Sequence, residues 1–189
     1  YTCTGGLYGF TFDPNTMTLT ASIVNNLNVI QSNVTIDRTN LGGWSDTSYW
    51  SDIASAAGDV DFTIEYQLYG GTELWQTSLF VIHYGNDGWN VAVSRADNWG
   101  WVDSANVQNQ LGNFTAGSMS GNLSTETYKD CNVTLNVKRQ GSFIYLTYNI
   151  QATNGNSITF TQEYAGVTAE ELIFSFTAEF AKIVVNNVY

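Results

Sequence analysis

The side chains that could do chemistry in this chain are few and far apart. His83 is the sole histidine, and it closes the apolar run Leu79-Phe80-Val81-Ile82. A nucleophilic triad would have to use it, yet no Gly-x-Ser-x-Gly elbow is present. A histidine set in the face of a strand is the simpler reading. One histidine and two distant cysteines do not make a zinc site. Glycoside hydrolysis needs only two carboxylates flanking a groove, and Glu65, Glu73, Glu163 and Glu179 fall on or beside expected strands. However, no Glu-x-Asp-x-x-Glu run exists. Asp59-Val60-Asp61 followed by Glu65 is the nearest approach, and it lacks the first Glu. Solvent-facing acids explain these residues equally well. The expectation is therefore a protein without hydrolase activity.

Binding chemistry is better supplied. The chain holds 6 Trp, 11 Tyr and 10 Phe. Sugar rings stack their C–H faces on aromatic planes, while nearby polar groups read the hydroxyls. The densest aromatic stretch runs from Asp87 to Trp101 and contains Trp89, Arg95, Asp97, Asn98, Trp99 and Trp101. Trp44, Trp50 and Trp75 lie in other segments that could converge on it. If the strand continues, Arg95 and Asp97 share a face with Trp99 and Trp101, setting a donor fork and an acceptor beside aromatic planes. The competing reading is that these rings are core and that Arg95 and Asp97 form a structural ion pair. Asp59, Asp61, Asp87 and Asp97 are candidates for one structural calcium ion, or else are solvated loop acids.

The elements that must position these residues have a period of two. Val60, Phe62, Ile64, Tyr66 and Leu68 alternate with polar neighbours, the pattern of a half-buried strand. Cys131 to Val137 alternates likewise. Ile144 to Ile150 follows after Gly141, and Ile158 to Tyr164 after the hairpin signal Asn154-Gly155. Residues 131–164 thus read as an antiparallel meander. Further strands are expected at Leu7–Phe12, Met17–Val24, Leu27–Ile36, Leu74–Tyr84, Trp89–Ala96 and Leu172–Val188. The last is too long for one regular strand, so a bulge or bend is expected in it. Only Ser51–Ala57 and Thr168–Glu171 look helical. Roughly ten strands and almost no helix predict an all-β fold, a two-sheet antiparallel β-sandwich or jelly roll. Residues 1–189 fit one domain, and a single Pro argues against an interdomain hinge.

The segment Val93-Ser94-Arg95-Ala96-Asp97-Asn98-Trp99-Gly100-Trp101, preceded by Leu74-Trp75 and Leu79-Phe80-Val81-Ile82, resembles a known family. It is similar to the concanavalin A-like, laminin-G-like jelly-roll domains of bacterial surface glycan-binding proteins. Those carry an Arg-Ala-Asp-Asn-aromatic-Gly-Trp segment after a central strand, then a meander and a long final strand. The resemblance spans roughly residues 60–185. It implies a sandwich of ten or more strands with a curved binding face, and it names no ligand. The chain departs from the pattern in its Lys-poor, sequon-bearing surface and in Cys131.

Charge narrows the partners. The net charge is −11, from 6 Lys+Arg against 17 Asp+Glu. Nucleic acid and anionic membranes both require a basic patch, so they are disfavoured; a neutral polysaccharide or glycan fits better than a polyanion. No run of 18 apolar residues exists, which argues against membrane insertion. Cys3 and Cys131 are expected to form a disulfide in an oxidising compartment, the alternative being two unrelated thiols. Sequons stand at Asn33, Asn113, Asn122 and Asn132, about as many as chance would place in so Asn- and Thr-rich a chain. Because the chain starts with Tyr1 rather than Met, it is expected to be processed or excised from something larger. Together these features predict an extracellular or cell-surface carbohydrate-binding domain that is not an enzyme. The alternatives are a structural or adhesive protein, such as a filament subunit self-assembling by strand exchange, and a jelly-roll glycosidase.

Overall fold

The computed structural model describes residues 8–23, 26–42, 49–69, 78–83, 91–95, 130–153, 155 and 157–189. Among them are thirteen strands and no helix. They are β1 (Tyr8–Asp13), β2 (Thr18–Ile23), β3 (Leu27–Val29), β4 (Val34–Asp37), β5 (Ser51–Ala57), β6 (Val60–Tyr69) and β7 (Ser78–His83). Then come β8 (Val91–Arg95), β9 (Asp130–Gln140), β10 (Phe143–Ala152), β11 (Ser157–Ala165), β12 (Glu171–Ala178) and β13 (Lys182–Val188). A six-stranded sheet has the order β11-β10-β9-β6-β13-β4 and a five-stranded sheet the order β3-β5-β12-β7-β8. β1 and β2 pair with each other as a separate ribbon. All pairings are antiparallel.

The alternation that reads as strand in the sequence becomes the wall of the sandwich. Phe62, Ile64, Tyr66 and Leu68 of β6, and Val133, Leu135 and Val137 of β9, point inward and are buried. Leu172, Phe174 and Phe176 of β12 face them. Phe62 meets Phe174 edge-on with centroids 5.0 Å apart, and Tyr66 meets Phe176 at 4.7 Å, geometries that add to the gain from area alone. One polar knot crosses this interior. Ser94 of β8 donates to Gln162 and lies 2.6 Å from the Tyr148 hydroxyl, so the buried polar atoms satisfy one another across the two sheets.

Two buried arginines fasten β12, the middle strand of the five-stranded sheet. Arg139, on β9, donates to the carbonyls of Gly141, Ala169 and Glu170 at 3.1, 2.5 and 3.1 Å, the last two just before β12 begins. Burial pushes its guanidinium down from its ordinary value, opposed by the Asp59 carboxylate. Arg38, just after β4, donates to the carbonyls of Ala178 and Gly42 at 2.7 and 2.6 Å, holding the other end. Its guanidinium also covers the Tyr49 ring at 3.9 Å.

Three expectations are corrected. Ser51–Ala57 is strand β5, not helix. Thr168–Glu171 is no helix either: 166–169 is irregular and Glu171 starts β12. The long final strand is two strands in different sheets, separated at 179–181, where Phe180 takes φ 48°. A further register shift falls between Val185 and Asn187. The expected bend is thus the crossing from one sheet to the other.

Cys131 is a buried thiol, and Cys3, its expected disulfide partner, lies outside the described residues. Cys131 sits on the inward face of β9 between Leu68 and Ala152. Burial, with a smaller push from Asp130, raises the thiol from its ordinary 9.0 to about 12, so little thiolate exists for disulfide exchange. Its contribution to stability is therefore complete below about pH 9 and is lost as the pH rises toward about 12. The expected result is that an aromatic disulfide reagent at pH 8 leaves Cys131 unmodified in the folded protein and modifies it in urea. Prompt labelling of the folded chain would contradict this placement.

Candidate functional site

The outer face of the five-stranded sheet holds a polar cluster that the core does not explain. In β12, Phe174 and Phe176 face inward, so Ser175 and Thr177 face outward. Ser175 lies opposite Asp52 of β5 on one side and Val81 of β7 on the other. The β5–β12 pairing is bulged between Phe174 and Ser175, and a bulge re-aims side chains. The Asp52 carboxylate accepts the Ser175 hydroxyl at 2.6 Å. His83 Nε2 lies 2.8 Å from Ser175 Oγ and 3.4 Å from the same Asp52 oxygen. The Trp50 ring leans on the His83 ring, with centroids 5.1 Å apart and planes tilted 55°. From behind, Gln31 donates to the Asp52 carbonyl at 2.7 Å, and the Ile30 and Gln31 amides both donate to Ile53.

Ser, His and Asp are thus together, but not in an order that activates a nucleophile. Relay chemistry needs the acid on one imidazole nitrogen and the serine on the other. Here Asp52 and Ser175 share Nε2 and also bond to each other. Ser175 is 0% exposed, in the middle of a strand. The cluster is better suited to holding Asp52 in place. Its side chain is 45% exposed, and Oδ1 makes both contacts. That leaves Oδ2 as an oriented acceptor beside a half-buried indole, the pairing that a sugar hydroxyl and a sugar face require. One step along the sheet, Thr177 Oγ1 is buried and has no hydrogen-bond partner among the described residues.

Of the residues singled out from sequence, Trp50 belongs to this cluster. Arg95 is the last residue of β8. It pairs with Leu79, which pairs with Thr177. Trp44, Trp75, Trp89, Asp97, Asn98, Trp99 and Trp101 lie outside the described residues. Asp52, His83 and Ser175 were missed as a group, although an acid in a run of small residues and a polar pair alternating with Phe174 and Phe176 were visible signals.

Of the carboxylates considered for glycoside hydrolysis, Glu65 and Glu163 do not form a pair. Glu65 and Glu163 lie on the outer face of the other sheet, three strand steps and several residues apart. Three steps alone amount to about 14 Å, beyond the roughly 9.5 Å of an inverting pair. Glu179 sits at the crossing between β12 and β13, and Glu73 lies outside the described residues. Of the calcium candidates, Asp59 accepts the Gly141 amide at 2.7 Å. Asp61 accepts from Asn136 and pairs with Lys138 at 3.7 Å. Asp87 and Asp97 lie outside the described residues. No group of three acidic, His or Cys side chains converges among the described residues. Asn33 and Asn132 are exposed, and Asn113 and Asn122 lie outside the described residues.

No protein-family model matches the chain, and no curated protein matches it. Among solved structures it is similar to a functionally unknown protein from Saccharomyces cerevisiae, at TM-score 0.42 and 8% identity over 96% of this chain and 94% of that one. It is similar to the metal-free lectin I-B4 of Griffonia simplicifolia at TM-score 0.40 and 8% identity, over 98% and 89% of the two chains. It is also similar to peanut lectin with a 9mer peptide, at TM-score 0.33 and 12% identity over 96% and 90%. The class defined by the strand pairing is an antiparallel two-sheet β-sandwich.

Proposed function

We propose that this chain is a non-catalytic, extracellular or cell-surface carbohydrate-binding domain that holds a neutral glycan on the outer face of its five-stranded sheet. The observation that carries the reading is Asp52, half exposed and fixed by Ser175 and His83, beside the Trp50 ring. The ring offers a stacking plane and the carboxylate a directed acceptor. The charge balance disfavours a polyanion. The family resemblance of the Arg95–Trp101 segment points the same way, toward surface glycan-binding sandwiches.

On a neutral-glycan array, the wild type is expected to bind at least one ligand, and Trp50→Ala to weaken that binding about 10-fold or more, as loss of a hot-spot ring does. Asp52→Asn keeps the shape but removes the charge, and is expected to weaken binding less. Unchanged binding in Trp50→Ala, with the fold intact by circular dichroism, would refute the assignment.

A second reading has one observation in its favour. Among the described residues, β1 and β2 form their own two-stranded sheet and join neither large one, and an isolated ribbon of this kind is marginal in water. A structural or adhesive subunit could use it in strand exchange. Elution as polymer rather than monomer on size exclusion would favour that reading over the first.

A further inference from the structure

We infer that the opposite side of the molecule, the outer face of the six-stranded sheet, is a second and separate binding track for an extended, uncharged polysaccharide. Its two ends carry exposed aromatic rings. At one end, Phe143, 39% exposed, lies nearly parallel to Tyr145 on β10, with centroids 6.3 Å apart and planes 15° apart. At the other, Tyr69 of β6 is 38% exposed and donates its hydroxyl to Gln67 at 3.1 Å. Tyr145 shares a cross-strand row with Asp61, and Tyr69 stands eight residues beyond Asp61 on β6. The rings are therefore separated by about 27 Å along the strands.

The floor between them is polar and hydrogen-bonding, and it includes Glu65 of β6. Thr63, Asn136, Thr147 and Thr161 form one row across four strands, with the two threonine hydroxyls 3.0 Å apart. The cations at the ends are already engaged: Lys138 by Asp61 at 3.7 Å, and Lys182 over the Tyr69 ring at 4.5 Å. Glu65 and Glu163 add negative charge. Among the described residues, a polyanion would meet no unengaged cation on this face and would meet the carboxylates of Glu65 and Glu163. A second protein surface would need an apolar centre within roughly 800 Å² per partner, whereas here the rings stand apart at the two ends. A long chain of neutral sugars, stacking at both ends and exchanging hydrogen bonds between them, fits the length, the charge and the composition.

The test separates this track from the Trp50 site by working in the full chain carrying Trp50→Ala. The protein is made without N-glycosylation, because the Asn132 sequon lies on the same face. The probes are cellulose, chitin, mixed-linkage β-glucan and xylan, read by pull-down or affinity electrophoresis. Trp50→Ala is expected to retain binding to at least one polysaccharide. Adding Tyr145→Ala with Tyr69→Ala should cut that binding at least tenfold while the melting temperature moves little. The proposal is overturned if Trp50→Ala alone abolishes binding to all four, or if the added substitutions leave binding unchanged. It is equally overturned if Phe143→Arg converts a dimer to a monomer, which would make the face an interface between copies.

Discussion

Replacing Phe176 by alanine is expected to destabilise the fold by about 3–5 kcal/mol and to lower the melting temperature by roughly 10 °C. Phe176 is 0% exposed and packs on Tyr66 at 4.7 Å and on Phe80 at 5.1 Å. It therefore touches both sheets, and no flexible neighbour among these rings can collapse into the space it leaves. The loss combines the transfer energy of the ring with a cavity between two rigid walls. Urea unfolding at constant slope checks it. A loss under about 1 kcal/mol would mean that the sheets do not meet through this ring.

Removing the Arg139 side chain is expected to cost about 2–4 kcal/mol. The reason is not charge but geometry. One guanidinium fork serves the carbonyls of Gly141, Ala169 and Glu170, and Glu170 also accepts from the Gly58 amide at 2.9 Å. Arg139→Ala takes the side-chain donor from three part-buried carbonyls, of which Glu170 keeps the Gly58 amide, and loosens the entry to β12. Arg139→Lys should recover less than half of the loss, because an ammonium cannot span three carbonyls arranged for a planar fork. Faster amide exchange at Gly58 should accompany both variants. An alanine variant as stable as wild type would show that water replaces the arginine freely.

Some of this architecture was legible in the residues. β6 and the β9–β10–β11 meander have one wet and one buried face, so their period of two is explicit. β5 was misread for the opposite reason. Residues 53–56 are all buried, so no alternation is written into Ile53-Ala54-Ser55-Ala56, and Ala and Ser resemble a helix by propensity alone. The site was less legible than the fold. Asp52 and Ser175 are 123 residues apart and His83 and Ser175 are 92 apart. Their meeting depends on β12 lying between β5 and β7, a strand order that no spacing encodes. Trp50 was visible as an aromatic candidate, yet its partners emerge only from that order.

The buried arginines also change how the surface should be read. Arg38 and Arg139 are committed to backbone carbonyls. Arginine count therefore says little about ligand recognition here. In the proposed function, recognition would rest on rings, hydroxyls, amides and one fixed carboxylate, which is chemistry suited to sugars rather than to phosphates or carboxylates.

The most direct test of the central claim is an NMR titration of the full chain with the neutral glycan that it binds best on the array, following the Trp50 indole N–H and the His83 ring. The account predicts that both shift in a saturable manner with the same dissociation constant, and that Asp52→Asn weakens that constant. Binding that leaves the Trp50 and His83 signals in place, or no binding by the folded protein to any neutral glycan, would contradict it.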